Sequence, residues 1–376
     1  MPNLFGADYT RVELLRRVGR LDQVAGVRLA VLEDGLARGV RVLEFRTGSG
    51  FTFDVLVDRA FDVGQCAFQG RSLNWTGSPG VVGPAFYEPE EWGWFRAWGG
   101  GMVVTCGLDH TMSPAEDTAA GFHQPHMFER VGYGLHGRVG GLPARLVGYG
   151  ETWDGDTCTL WAEGEVRQSA VFFEDLVLRR RIEARVGESH FTIRDTVENA
   201  GHSVTSHMLL YHCNVGFPVV DEGSELLLPS DRTRTDPWDS IETYRTLTAP
   251  QRDFQEACFY ERVLGEPSGV VPTGVVNRRL GLGVYQLFRN DQLPEFMVWR
   301  MMGEGTYAVA LEPGTNRAVP RTELRENGEI VELAPGETRS YELELGVLDG
   351  TAAIDAYAGR VRAATTRGKG SREGDR

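Results

Sequence analysis

Lysine is almost absent from this sequence of 376 residues, since the only one is Lys369, in a polar tail near the C-terminus. A Schiff-base mechanism needs a lysine amine held in a pocket, and a Walker A phosphate loop needs a lysine that reaches the phosphates. A lysine in a polar tail serves neither purpose. The sequence therefore argues against pyridoxal-phosphate chemistry, lysine-dependent aldol chemistry and a Walker A nucleotide site.

Cysteine motifs and long apolar runs are missing as well. The five cysteines are odd in number and include no CxxC pair, so we expect neither a disulfide framework nor a cysteine-based zinc site. No apolar run approaches the roughly 20 residues of a membrane span, and the N-terminus lacks the apolar core of a signal peptide. We therefore predict a cytoplasmic protein without a membrane partner. The net charge of −14 also disfavours nucleic acid as a partner.

Helical periodicity is limited to residues 10–17 and 354–364, whereas alternating strand patterns dominate the chain. The clearest pattern is a hairpin in which residues 176–185 turn into residues 191–199. Further strands are predicted at residues 27–33, 40–47, 51–58, 203–214, 328–333 and 338–348. We predict one large all-β sandwich domain over residues 1–360 with few short helices. A Trp- and Gly-rich excursion near residues 75–121 and a disordered tail at 361–376 complete the organisation.

Three short segments concentrate the reactive side chains. His136 lies in Gly134-Leu135-His136-Gly137, where glycines let the backbone approach a ligand, although a histidine that caps a turn would look the same. His212 and Asn214 share one face of a predicted strand with apolar neighbours, which favours a half-buried polar pair over a solvated face. Glu312 follows an apolar strand and precedes Pro-Gly, so burial there would raise its pKa toward that of a general base. A solvent-facing turn carboxylate is the alternative.

These segments resemble the aldose 1-epimerase (galactose mutarotase) family in order and approximate spacing, from about residue 27 to residue 348. The matching motifs are Leu135-His136-Gly137, the hairpin that leads to His212 and Asn214, and Leu311-Glu312. The run Val57 to Gly64 and the run Thr105 to Leu108 suggest a divergent, less characterised branch. The resemblance implies a β supersandwich, a carbohydrate-active isomerase that interconverts sugar anomers, and no cofactor. It also implies that Glu312 is the base, that His212 is the acid and that His136 donates a hydrogen bond to the sugar.

Several binding residues follow less directly. The family's second histidine usually stands in Asn-His-x-Tyr-Phe-Asn, whereas this chain has Tyr-His-Cys-Asn, and His207 is an alternative acid. Glu256 is the candidate for the family's substrate-binding aspartate, and the family's arginine corresponds to Arg59 or Arg96. Trp299 and Arg300 precede Glu312 by one predicted strand and are expected to reach the site from that strand. The sugar itself, and whether the chain forms a homo-oligomer, stay open.

Two rival interpretations use the same residues. His123, His126 and His136 could bind a divalent metal, with Glu312 or His212 completing the shell, for isomerase, epimerase or lyase chemistry on a keto-sugar. The spacing is unremarkable, and loop histidines are common. Alternatively, the chain is a sugar-binding module without turnover, since a fold alone does not establish activity.

Overall fold

The computed structural model describes residues 1–119, 129–235 and 241–373. Within this part the chain forms many strands and four α-helices. The strands are β1 Asn3–Leu4, β2 Ala7–Asp8, β3 Gly26–Val31, β4 Arg41–Arg46, β5 Phe51–Leu56, β6 Asp62–Phe68, β7 Arg71–Ser72, β8 Val104–Leu108, β9 Ala115–Thr118, β10 Arg130–Tyr133, β11 Arg145–Asp154, β12 Thr157–Ser169, β13 Asp175–Arg185, β14 His190–Asn199, β15 Thr205–Gly216, β16 Glu225–Leu227, β17 Ser230–Thr235, β18 Ala257–Val263, β19 Val270–Asn277, β20 Leu282–Arg289, β21 Glu295–Gly303, β22 Thr306–Gly314, β23 Val331–Leu333 and β24 Thr338–Asp349. The α-helices are α1 Arg11–Leu15, α2 Trp94–Ala97, α3 Arg321–Glu326 and α4 Thr351–Glu373. Short 3-10 turns are Leu21–Gln23, Gly35–Ala37, Pro84–Phe86 and Val139–Gly141.

Three antiparallel sheets contain most of the strands. The back sheet has the order β11-β12-β13-β14-β24-β20-β19-β16. The site sheet has the order β17-β18-β21-β22-β15-β23, and β8 also pairs with β15. The N-terminal sheet has the order β3-β4-β5-β6-β7. The predicted all-β architecture and the predicted hairpin, which is β13-β14, are confirmed.

The three sheets meet at Arg180, a fully buried arginine of β13. Its guanidinium contacts Asp62 of the N-terminal sheet at 2.6 Å and Asp195 of the back sheet at 2.6 Å. It also donates a hydrogen bond of 2.9 Å to Thr105 of β8, while the Tyr211 hydroxyl of β15 donates to Asp195. Because a buried charge is tolerated only when it is paired and hydrogen-bonded, this network ties the sheets together in one arrangement.

The excursion was predicted as irregular, and one part of that prediction is wrong. Residues 75–101 contain only α2 and a 3-10 turn, as expected, but β8 follows and pairs with β15. Every residue of β8 is buried, so this strand lacks the apolar–polar alternation that marks a strand in a sequence.

The C-terminal helix α4 covers the outer face of the back sheet. Ile354, Tyr357 and Val361 pack against Val276 and Leu348 of that sheet. The helix runs to Glu373, so the tail boundary predicted at residue 361 does not coincide with its end. Among the described helices, none has both the length and the apolar character that crossing a membrane requires.

Candidate active site

His212 and Glu312 lie opposite each other on neighbouring strands of the site sheet. In the pairing of β15 with β22, Leu210 faces Gly314 and Cys213 faces Leu311, which sets His212 across from Glu312. Residues directly opposite on paired strands share a face of the sheet. The imidazole Nε2 accordingly lies 3.2 Å from the Glu312 carboxylate oxygen Oε1.

Both side chains are buried, with 3% of His212 and 1% of Glu312 exposed. The contact between them lacks hydrogen-bond geometry, and among the described residues no partner is found for either Glu312 oxygen or for Nδ1 of His212. Nearly all buried polar atoms in proteins are hydrogen-bonded, and each exception calls for an explanation such as a catalytic role. The unused hydrogen-bonding capacity of these three atoms marks the pair as a candidate functional site.

Burial displaces the two acid–base equilibria in opposite directions. It raises the pKa of the Glu312 carboxyl well above its usual value, and the charge of Glu256 adds to this effect. It lowers the pKa of His212 to about 3. A low-dielectric environment disfavours the charged form of each group. Burial thus favours the uncharged form of each group, a carboxylic acid beside a neutral imidazole, and such a pair holds one transferable proton.

His136 lies beside this pair, as predicted. Its ring centroid is 5.9 Å from that of His212 and 4.7 Å from that of Trp94. The residue adopts a positive φ, and so does Gly137, where a Cβ would lie only 2.3 Å from the carbonyl oxygen of Gly107. Glycine is therefore required at the turn that presents His136. Burial, with the neighbouring His212, lowers the pKa of His136 well below its usual value.

Tryptophan rings form the wall over His212. The ring of Trp98 is 4.9 Å from the imidazole and the ring of Trp299 is 5.7 Å away. Trp75 and Trp94 pack against Trp98 behind them. The sequence indicated an aromatic excursion but not that Trp98 would be the ring nearest to His212. An aromatic cleft of about 420 Å³ opens along this wall, and Glu256 lines it.

Asn214 and Glu256 lie near the pair but are engaged. The Asn214 amide nitrogen donates to the carbonyl oxygens of Gly101 and His212, and its own oxygen has no hydrogen-bond partner among the described residues. Glu256 accepts a 2.9 Å hydrogen bond from the indole nitrogen of Trp299, so this carboxylate orients the wall.

The predicted binding arginines lie elsewhere. The guanidinium of Arg59 donates to the carbonyl oxygens of Gly140, Val82 and Ala97, so it holds the backbone of the excursion and is not directed at the acid–base pair. Its alternative, Arg96, is exposed and pairs with Glu88 at 2.6 Å. Arg300 follows Trp299 on a strand and therefore points to the opposite face, where it contacts Phe254. The structure thus directs neither Arg59 nor Arg300 at the acid–base pair.

His207, the alternative acid, is also on the other face of β15, because it is five residues from His212. Its Nδ1 donates to the carbonyl oxygen of Leu108 at 2.8 Å, and its Nε2 lies 2.7 Å from the Tyr341 hydroxyl. Both ring nitrogens are thus occupied within the core. Of the two histidines, His212 alone contacts Glu312.

Glu312 lies inside its strand, not at its end, because β22 continues through Pro313 to Gly314. His123 and His126 lie outside the described residues, so the metal hypothesis built on them stays a prediction. Within the described residues, no group of three or more His, Cys, Asp or Glu side chains could hold a metal ion.

A model of one protein family matches residues 37–347. The chain belongs to the DUF4432 family. That family is described as a domain of unknown function. A comparison with curated proteins found no match.

Several solved structures similar to this DUF4432 chain are named as aldose 1-epimerases or as mutarotase-like proteins. A provisionally named aldose 1-epimerase from Klebsiella pneumoniae is similar with a TM-score of 0.81 and 25% identity, over 90% of this chain and 87% of that one. A galactose mutarotase-like protein from Clostridium acetobutylicum has a TM-score of 0.58 and 12% identity, over 86% of this chain and 98% of that one. A galactose 1-epimerase from Lactobacillus acidophilus has a TM-score of 0.54 and 12% identity, over 86% and 99%. The fold expected from the family resemblance is confirmed.

Proposed function

We propose that this DUF4432 chain is an aldose 1-epimerase-like isomerase that interconverts the anomers of a sugar. One observation carries the proposal: a carboxyl and an imidazole lie in contact at 3.2 Å, buried and with open hydrogen-bonding capacity. Mutarotation requires one group that takes a proton and one that gives a proton, at two oxygens attached to the same carbon. Because these two oxygens are close together, an acid and a base that are in contact with each other can serve both.

The reaction balances without any further reagent. One member of the pair removes the proton from the anomeric hydroxyl while the other protonates the ring oxygen, and the bond between C1 and the ring oxygen breaks. Rotation about the C1–C2 bond and reversal of both transfers give the other anomer. Each positioned acid or base typically contributes about 10²–10⁴-fold to the rate.

The pKa shifts of His212 and Glu312 affect which of the two groups acts first as the base. Glu312 in its carboxylate form is the base that the family resemblance implies, with His212 as the acid. Burial favours the neutral pair, in which His212 accepts a proton and Glu312 donates one. Both arrangements carry the same net charge and occur in turn during one cycle, so either one begins the exchange.

Tryptophan rings support a sugar as the ligand. The faces of pyranose rings that carry C–H bonds pack on aromatic side chains, and Trp98 and Trp299 lie within 6 Å of the His212 ring. The same wall excludes water from the pair, which strengthens its hydrogen bonds to a bound sugar. We place this activity in the cytoplasm on the sequence evidence.

Replacement of Glu312 by glutamine tests the proposal, because it keeps the shape and removes the transferable proton. Anomeric exchange is measured by NMR saturation transfer over a panel of aldoses, with and without a chelator. We expect a loss of at least about 10²-fold in Glu312→Gln. Glu344→Gln, which alters a back-sheet carboxylate that accepts a hydrogen bond from Tyr285, serves as the control. Near-wild-type exchange in Glu312→Gln would refute the assignment, and chelator-sensitive exchange of carbon-bound protons would favour the keto-sugar alternative.

A further inference from the structure

A second pocket, of about 390 Å³, has Glu312 in its lining and none of the tryptophans of the wall. The His212 ring is covered by Trp98 and Trp299, whereas Glu312 forms part of the lining of this pocket. We call it the arginine pocket, since its lining includes Arg232, Arg234, Arg262 and Arg317.

The register of the site sheet sets the distance between the arginines and the acid–base pair. Arg234 faces Tyr260, Tyr260 faces Met297, and Met297 faces Glu312 across three successive strand pairings. All four side chains therefore share one face of the sheet. With about 4.8 Å between strands, the Cα atoms of Arg234 and Glu312 are roughly 14 Å apart. This spacing leaves room for one monosaccharide between the two side chains.

Two of the arginines are neutralised by carboxylates. Arg262 binds Asp231 through two hydrogen bonds of 2.7 and 2.5 Å. Arg317 binds Glu329 through two hydrogen bonds of 2.7 and 2.8 Å. These two ion pairs frame the pocket but offer little net charge to a ligand.

The other two arginines are not paired with a carboxylate among the described residues. Arg234 stacks on Tyr260, with the guanidinium carbon 4.9 Å from the ring centroid, which orients its fork of donors. Arg232 is exposed and lies directly opposite Arg262, whose guanidinium is engaged by Asp231. Of these two arginines, Arg232 is therefore the one with donors left for an anion.

Two carboxyl groups besides Glu312 line the pocket. Glu261 is occupied by hydrogen bonds from Ser230, Thr233 and Tyr244. Burial raises the pKa of Glu295, while the charges of Arg317 and Arg234 act in the opposite direction. The lining holds four arginines and three glutamates, whereas the chain as a whole has a net charge of −14. The pocket is thus basic relative to the rest of the chain, which favours an anion.

We propose that the substrate is an anionic monosaccharide, whose anomeric end meets Glu312 and whose phosphate or carboxylate group binds Arg232 and Arg234. This inference rests on the proposed function and names its substrate class. Arginine matches both anions because its planar fork of donors binds two oxygens at once.

The test compares anomeric exchange of glucose 6-phosphate, glucuronate and glucose at constant ionic strength, relative to the rate without enzyme. We expect kcat/KM to be at least tenfold higher for one of the two anionic sugars than for glucose, and the preferred sugar distinguishes phosphate from carboxylate. In the double variant Arg232→Gln/Arg234→Gln this preference should fall at least tenfold, mainly through KM. Arg20→Gln, which alters an arginine with 84% of its side chain exposed, is the control.

The possible failures are distinguishable. Glu312-dependent exchange of glucose that equals that of both anionic sugars would overturn this inference and leave the proposed function standing. If no sugar exchanges, the proposed function fails, and calorimetric titration with glucose 6-phosphate and glucuronate decides the anion site. Binding that weakens tenfold in the double variant would support the site, and equal binding by both proteins, or none, would overturn it.

Discussion

The buried histidines of β15 show how the face of a strand determines what a residue does. His207 and His212 are of one type, on one strand and both inaccessible to solvent. His207 uses both ring nitrogens within the core, whereas His212 contacts Glu312 and leaves Nδ1 without a hydrogen bond among the described residues. The two should therefore respond differently to substitution.

Replacement of His207 by glutamine should change the pH dependence of stability. Burial lowers the pKa of His207 to about 4 from its usual value of 6.5. Between these values the unfolded chain binds a proton that the folded chain does not, so this residue makes the protein less stable as the pH falls. The variant lacks this effect. The free energy of unfolding of the wild type, minus that of His207→Gln, should decrease by up to about 1.4 kcal/mol per pH unit from pH 6 to pH 4.5.

Urea unfolding at several pH values measures this difference, and anomeric exchange per folded molecule should be retained. His212→Gln is the matched variant, since it should lose exchange. Parallel stability curves for wild type and His207→Gln across the whole window would contradict the assignment of a neutral buried imidazole.

At the residue scale, the sequence predicted that His212 and Glu312 would lie in one site, but not which side chains surround them. Period-two alternation put His212 and Asn214 on one face, which the structure bears out. The same alternation places Trp299 and Arg300, which are consecutive residues of β21, on opposite faces of the sheet. The two side chains therefore do not reach one site from this strand. The carbonyl partners of Arg59 come from three separate segments, and no local pattern reveals them. Arg232 and Arg234 of β17 line the arginine pocket together with Glu312. Their proximity depends on the order of strands in the site sheet, which no local pattern in the sequence reveals.

At the scale of elements, the tryptophan wall depends on the anchor that Arg59 provides. This guanidinium connects the N-terminal sheet to the backbone at Val82 and Ala97, directly before Trp98. Burial also lowers the pKa of the Arg59 guanidinium, yet its hydrogen bonds to three carbonyl oxygens keep it in place. The wall is thus positioned by a contact far from it in sequence.

Replacement of Arg59 by methionine should loosen the wall. Three buried carbonyl oxygens would lose their donor, and each such loss typically costs about 1–3 kcal/mol. We expect kcat/KM for anomeric exchange to fall at least tenfold and tryptophan emission to shift to longer wavelength. Arg360→Met is the control, because Arg360 pairs with Glu266 on the far side of the back sheet. Unchanged emission and kinetics in Arg59→Met would show that the wall is held by other contacts.

Elements with local signals were predicted well, and elements defined by distant partners were not. The β13-β14 hairpin shows strict alternation and a Gly-containing turn, both visible in sequence. The first helix was also expected, and Thr10 caps it together with Glu13. β8 was missed because it is buried on both faces and is specified by β15, about 100 residues later in the chain.

At the scale of the whole molecule, the junction at Arg180 should dominate stability. Removal of one partner from a buried ion pair leaves an uncompensated charge, which typically costs about 3–5 kcal/mol. Two carboxylates, Asp62 and Asp195, would be left in this way. We expect Arg180→Met to lower the free energy of unfolding by at least about 3 kcal/mol.

Denaturant unfolding followed by circular dichroism measures this effect. Arg194→Met on the next strand is the matched control, since Arg194 forms ion pairs with half of its side chain exposed. Exposed pairs contribute about 0–1 kcal/mol, so the control should lose little. Equal losses of unfolding free energy in both variants would show that the buried network contributes no more to stability than an exposed ion pair.

The tryptophan wall also gives this molecule an optical signature of its own. Trp94 and Trp98 stack with centroids 4.5 Å apart, Trp75 lies 4.9 Å from Trp98, and Trp299 lies 5.4 Å from Trp98. Indoles at such separations couple their electronic transitions, which produces paired bands of opposite sign in circular dichroism. Since a protonated imidazole quenches a neighbouring indole, fluorescence should also follow the charge of His212. A change in the packing of these rings or in the charge of His212 should therefore be observable in the unlabelled protein, at wavelengths where sugars do not absorb.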